Sequence, residues 1–234
     1  MTTATDVLPS RLIDNAVHRR FVDHSFFRRI EAEKMTTEDV TTFLGQWWHP
    51  LHYFPTFLAR CVSALPDIES KSAIAHILNQ ETGEGKPFRA HEVVYADSMD
   101  RAGFDRTAVT ASVALTETVS LVEGYERASS APCSAVGFIF ATEVTDLQMV
   151  SGIGRAVERV TGVSDLEWVR IHVEQEPDHV DDAGRTLLRG FSGDEIDRVV
   201  RYAESMWQLW TTFFDRLEYE MDAGTCAGMQ QVAP

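Results

Sequence analysis

Positive charge is scarce in this chain. Its 21 Lys and Arg face 36 Asp and Glu, a net charge of −15. A surface this acidic repels polyanions, which argues against nucleic acid and anionic membranes as partners. Long hydrophobic runs are missing as well. No apolar stretch reaches membrane-spanning length and no signal-peptide core opens the sequence, so no membrane partner and a cytoplasmic location are expected. Cysteine is rare. Cys61, Cys133 and Cys226 stand far apart, with neither a CxxC motif nor an even-numbered framework, which fits a reducing compartment. Internal repeats, low-complexity blocks and Pro/Gly/Ser-rich linkers are also lacking. The 234 residues therefore read as one domain, 1–234, with loose ends at about 1–8 and 223–234. Period-2 alternation is not evident, which leaves β-strands without support.

What is present is helical periodicity, and it predicts an all-α bundle of seven helices. Leu12, Val17, Phe21, Phe27 and Ile30 place a first helix at about 9–34. A second runs from Thr36 or Thr37 to about Ser63, and a third from the N-cap Asp67 towards Gly103. A fourth covers about 105–128 and a fifth about 132–161. Ser164-x-x-Glu167 and Ser192-x-x-Glu195 read as capping boxes that open the sixth and seventh. Gly83, Gly85 and Pro87 interrupt the third helix, Pro50 and Pro55 sit in the second, and Pro177 sits in the sixth. Each interior proline removes a backbone hydrogen bond and favours a bend.

The sixth helix carries the most informative stretch, His172-Val-Glu-Gln-Glu176-Pro-Asp-His179. At about 100° per residue, His172, Glu176 and His179 fall within an arc of roughly 60°. Two imidazoles and a carboxylate on one stripe form a ligand set suited to iron, zinc or manganese. Glu84 and His91 on the third helix are seven residues apart and share a face if the helix is continuous. Glu143 is a single carboxylate in an apolar run of the fifth helix, where a bound cation would relieve the cost of its burial. Glu84, His91, Glu143, His172, Glu176 and His179 together supply three histidines and three carboxylates. Two metals with three protein ligands each would keep positions open, the arrangement of non-heme iron that activates dioxygen. Trp47, Trp48, Tyr53 and Phe54 on the second helix are expected to wall the substrate pocket. His18 and His24 read as surface groups and His76 as isolated. Arg89 and Lys86 are the nearest candidates for binding a substrate carboxylate, although surface positions suit them better.

These residues resemble the heme-oxygenase-like diiron oxidases and oxygenases. The resemblance lies in Asn79-Gln-Glu81-Thr-Gly83-Glu84-Gly85-x5-His91, then Glu143, then His172-x3-Glu176-x2-His179, with Gln46-Trp-Trp-His-Pro-Leu-His-Tyr-Phe-Pro55 as an early segment. It spans about residues 40–220. It implies a seven-helix heme-oxygenase-like fold and two irons per chain, held by Glu84, His91, Glu143, His172, Glu176 and His179, with dioxygen as co-substrate. Where the family usually carries Asp between the two later histidines, this chain carries Glu176. N-oxygenating members have an extra carboxylate one turn before the third-helix ligand, and Glu81 stands there as the catalytic candidate. The implied function is O2-dependent N-oxygenation of a small amine or amino-acid derivative in a natural-product pathway. Oxidative carbon–carbon cleavage, desaturation or decarboxylation of an amino or fatty acid is the alternative. An external electron donor and a homodimer are compatible with the resemblance. A metal-free oxidase of the pyrroloquinoline quinone synthase type, or a non-enzymatic helical binding protein, are the further alternatives. A ferritin-like bundle is disfavoured because only Glu176-x-x-His179 fits its pair of Glu-x-x-His motifs.

Overall fold

Local capping determines where the helices begin, and it divides the expected first helix into three. The computed structural model describes residues 4–32, 35–187 and 191–230. It opens with α1 (Ala4–Ile13), α2 (Ala16–Val22) and α3 (Ser25–Glu31). Asn15 Oδ1 accepts from the Val17 N–H at 2.8 Å, and His24 Nδ1 accepts from the Phe26 N–H at 3.1 Å. Each side chain caps the helix that follows it. A reciprocal pair of bonds between Thr36 and Asp39, 2.8 and 3.1 Å, opens α4 (Thr37–Ala64), which runs through Pro50 and Pro55 without a break. Asp67 caps α5 (Ile68–Glu81) as expected, accepting from the Ser70 N–H at 2.9 Å.

The expected third helix does not continue past Glu81. Gly83, Glu84 and Gly85 all have positive φ, at 82°, 54° and 77°. A Cβ on Gly83 would lie 2.4 Å from the Lys86 carbonyl oxygen, so only glycine fits there. A 3-10 turn at Pro87–Arg89 follows, then α6 (His91–Arg101), α7 (Arg106–Thr110) and α8 (Thr116–Ala128). The longest central helix, α9 (Pro132–Thr161), stops at Gly162 with φ 77°. The next helix, α10 (Glu167–Leu187), begins two residues later than an N-cap at Ser164 predicts. The Glu167 carboxylate is held by Arg101 at 3.1 Å instead of closing a capping box. The final helix, α11 (Gly193–Gln230), does open on the Ser192/Glu195 capping box. The structure is thus all-α, with eleven α-helices among the described residues occupying the seven expected stretches. The terminal stretches expected to be loose are helical at 4–8 and 223–230. Residues 1–3 and 231–234, and the Cys226 side chain, lie outside the described residues.

Helix α9 is buried along most of its length and packs against α10 and α11. Gly137 allows the closest approach to α11, because an added Cβ would lie 2.6 Å from the Val199 carbonyl oxygen. Gly137→Ala is therefore expected to lower stability by about 1–3 kcal/mol, the usual cost of forcing extra volume into a packed core. Urea unfolding followed by circular dichroism checks it; an unchanged midpoint would show that α11 slides freely. One end of the core is aromatic: Phe26, Phe43, Trp47, Trp210 and Phe214 stack and meet edge-on at centroid separations of 4.8–6.4 Å. This rigid end adjoins the place where α5, α6, α9 and α10 converge.

Candidate metal centre

Two three-residue clusters form at that convergence. Glu81 from the last turn of α5, His91 from the first turn of α6 and His172 from α10 make the first. Glu143 from α9 with Glu176 and His179 from α10 make the second. Within each cluster one donor atom per residue lies within 4.8 Å of the others, and all six side chains are buried. His91 Nδ1 is 3.0 Å from Glu81 Oε1, and His179 Nδ1 is 3.5 Å from Glu143 Oε2. The His91 and His172 rings lie 4.6 Å apart. The α10 stripe works as its spacing suggests: one face of one helix supplies a histidine to the first cluster and a glutamate and a histidine to the second.

The donor set fits cations. Glu143 Oε1 and both oxygens of Glu176 are buried without a well-formed hydrogen bond. Such groups are costly to fold unless they are neutralised or paired. Burial and the neighbouring carboxyls Asp146 and Glu143 hold the Glu176 pKa far above its usual range, and burial likewise raises Glu143. Burial opposes the charge on Glu81 too, yet the attraction of His91, His172 and His179 outweighs it and pulls Glu81 down to about 2. Burial and the nearby His91 push His172 down to about 3. Burial also works against a charged His179, but the Glu143 carboxylate beside it wins and lifts it to about 9. Glu81 and His172 of the first cluster are thus in their ligating states at neutral pH, whereas the second cluster holds protons that a cation must displace.

Asp146 is a carboxylate beside the second cluster that the sequence reading missed. It stands one turn after Glu143 on α9, half-buried, and faces Glu176. Their contact is too loose for a well-formed hydrogen bond, but burial and the charges of Glu143 and Glu81 raise Asp146 as well. The i, i+3 spacing within Glu143-Val-Thr-Asp146 was the available signal. With Glu81, Glu143 and Glu176 it makes four carboxylates, which balance the charge of two divalent cations.

The remaining expected residues divide. Glu84 is exposed on the left-handed turn and joins neither cluster; Glu81 occupies the place assigned to it. The seven-residue spacing to His91 assumed a continuous helix, and the helix ends at Glu81. Trp47 and Phe54 line a cavity of about 30 Å3 beside the clusters, together with Leu51, Tyr125, Trp168 and Trp210. Trp48 and Tyr53 project elsewhere. Trp48 stacks on His52 and Tyr95, and the Tyr53 hydroxyl accepts from Arg60 at 3.3 Å. Lys86 and Arg89 are exposed and outside the cavity. Two histidines differ from expectation. His24 is buried as the α3 cap and pairs with Asp215 at 3.1 Å, and His76 pairs with the buried Asp182 at 2.7 Å.

Comparison with known proteins agrees with this architecture. The structure is similar to a CADD-like protein of unknown function from Nostoc punctiforme, with a TM-score of 0.75, 12% identity, and 93% of this chain and 96% of that chain covered. It is also similar to a domain of unknown function with a heme oxygenase-like fold from Shewanella denitrificans, with a TM-score of 0.69, 17% identity and coverage of 93% and 90%. A TenA homolog from Pseudomonas syringae pv. tomato gives a TM-score of 0.72, 12% identity and coverage of 91% and 93%. The fold is therefore the heme-oxygenase-like helical bundle. No curated protein matches the sequence. The profile of the iron-containing redox enzymes matches residues 41–211, and the chain belongs to that family. The matched span includes all six clustered donors and Asp146.

Proposed function

We propose that this protein is a non-heme diiron oxidoreductase that uses dioxygen to oxidise a small molecule. The observation that carries the reading is the pairing of two buried Glu/His clusters, each with three donor side chains, in a chain of the iron-containing redox enzyme family. Glu81, His91 and His172 would hold one iron; Glu143, Glu176 and His179 would hold the other, with Asp146 beside it. When bound, the irons supply the electrons and open positions for dioxygen reduction. The protein side chains do the rest. The aromatic wall of Trp47, Phe54, Trp168 and Trp210 keeps bulk water from the donors and gives the substrate an apolar face. The cavity has room for about two waters, so a larger substrate must displace part of that wall, and half-buried Phe54 is the member freest to move.

A small amine fits this cavity best. Carboxylates and tryptophan faces attract a cationic or electron-poor nitrogen, and no Lys or Arg among the described residues lines the cavity to receive a substrate carboxylate. N-oxygenation is therefore our first reading. The buried indole N–H groups of Trp47 and Trp168 lack acceptors, which favours oxidative cleavage or decarboxylation of an acid as the second reading. Iron-loaded enzyme under a reductant and 18O2, offered primary amines and medium-chain acids in parallel, tests both. Transfer of 18O to amine nitrogen supports the first. Chain-shortened or unsaturated product from the acids alone supports the second, and turnover without oxygen consumption contradicts both.

A further inference from the structure

Two glutamines stand beside the metal donors without an assigned role. Gln80 immediately precedes Glu81 on α5, and Gln175 immediately precedes Glu176 on α10. Gln80 Oε1 lies 3.0 Å from His179 Nε2, and Gln175 Oε1 lies 3.0 Å from His91 Nε2. The arrangement is crossed. Glu81 belongs to the first cluster while Gln80 holds a histidine of the second; Glu176 belongs to the second while Gln175 holds a histidine of the first. Resting on the diiron reading, we infer that Gln80 and Gln175 are positioning residues that cross-link the two metal sites, so that filling one site orders the other.

The chemistry follows from the ring atoms. A glutamine carbonyl accepts a hydrogen bond from Nε2–H, which fixes the tautomer and leaves the Nδ1 lone pair free. Nδ1 is the atom that faces Glu81 in His91 and Glu143 in His179. His172 is arranged in the opposite sense. Its Nδ1 sits 2.8 Å from the Trp168 carbonyl oxygen and donates to it, so its Nε2 is the donor to the metal. The reversed amide would donate to Nε2 and leave Nδ1 protonated and unable to ligate, so metal binding selects the accepting orientation. An uncharged acceptor also holds each ring without adding a fifth negative charge to the four carboxylates. A cation bound by Glu81 pins the last turn of α5, and with it the carbonyl that aims His179. A cation bound by Glu176 pins the turn of α10 that aims His91. Coupling between the sites is therefore positive and runs through two adjacent-residue pairs.

Anaerobic Co(II) titration of single-site variants tests this. In Glu143→Ala, where the first site remains, Gln175→Ala is expected to weaken Co(II) binding by about 10–100-fold and Gln80→Ala by less than about threefold. In Glu81→Ala, where the second site remains, the two effects are expected to exchange. Gln175→Glu and Gln80→Glu keep an acceptor and should restore most of the lost affinity, which a packing defect would not. Proton NMR of the doubly Co(II)-loaded wild-type chain gives the same answer if a single-site variant binds too weakly. Its three shifted, exchangeable imidazole N–H signals should include one that Gln80→Ala alone makes exchange rapidly, and a different one that responds only to Gln175→Ala. Equal losses in both backgrounds, no loss, or one shared NMR signal overturns the crossed arrangement. A wild-type chain that binds no Co(II) overturns the diiron reading itself.

Discussion

Replacing Glu81 with alanine should empty the first metal site while Glu84→Ala changes little. Glu81 is buried at the end of α5 with its carboxylate 3.0 Å from His91 Nδ1. Glu84, three residues later, is exposed on a turn with φ 54°. Disturbing the groups around a metal ligand commonly costs 10–100-fold in affinity, so removing the ligand itself should cost at least about 100-fold at the first site. Glu81→Ala should bind at most about one iron per chain, with oxygen-dependent turnover lost and helicity retained. Glu84→Ala should keep the wild-type iron content and most of the activity. Iron analysis after gel filtration, with circular dichroism as the fold control, distinguishes them. Equal iron loss in both variants would mean that the α5–α6 turn rearranges on loading and brings Glu84 inward.

The second large effect is on stability. Without metal, the folded state holds protons in the second cluster that the unfolded chain releases. His179 is lifted from 6.5 to about 9, and Glu176, with its burial and carboxyl neighbours, stays protonated well above the usual carboxylate range. A raised folded pKa gives stability that is complete below the unfolded pKa and is lost as pH climbs through the folded one. Between pH 6.5 and 9 both groups act in this direction, so metal-free protein should lose stability as pH rises, by about 1.4 kcal/mol per pH unit for each retained proton. Between pH 6.5 and 4.5 the low folded pKa of His172 offsets part of this loss, and the sense reverses only below about pH 4.5, where Glu176 is protonated in both states and the low folded pKa values of His172 and Glu81 favour folding only while these groups are deprotonated. Metal binds the deprotonated donors, so its stabilising effect should grow across the same window. Thermal melts with chelator and with Mn(II), at pH 6.5, 7.5 and 8.5, check the prediction. Parallel curves at all three pH values would show that the buried carboxyls and His179 do not carry these protons.

The sequence made some of this site visible and hid the rest for identifiable reasons. The His172/Glu176/His179 stripe was legible because it lies on one uninterrupted helix, where spacing converts directly into direction. Glu84 was misassigned because that conversion fails across a break. The Gly-Glu-Gly run turns left-handed and erases the register, and the same glycines, taken as a helix end, would have left Glu81 as the last inward residue. Trp47, Leu51 and Phe54 follow one helical face into the cavity, whereas Trp48 and Tyr53 sit on other faces of α4, a distinction that a simple count of aromatics overlooks. Trp168, Trp210 and Tyr125 reach the cavity from three other helices. No local pattern marks them, since only the packing of α8, α10 and α11 brings them together. The all-α fold was legible from periodicity, while the division of its first helix turned on Asn15 and His24, two caps hidden in a charged stretch.

Anaerobic Fe(II) titration of the metal-free chain, followed by Mössbauer spectroscopy, measures the central claim directly. Two irons per chain are expected, in two N/O environments free of sulfur, filling with positive cooperativity and both oxidised on admission of dioxygen. A single iron per chain, or none, with all six donors intact would contradict the account.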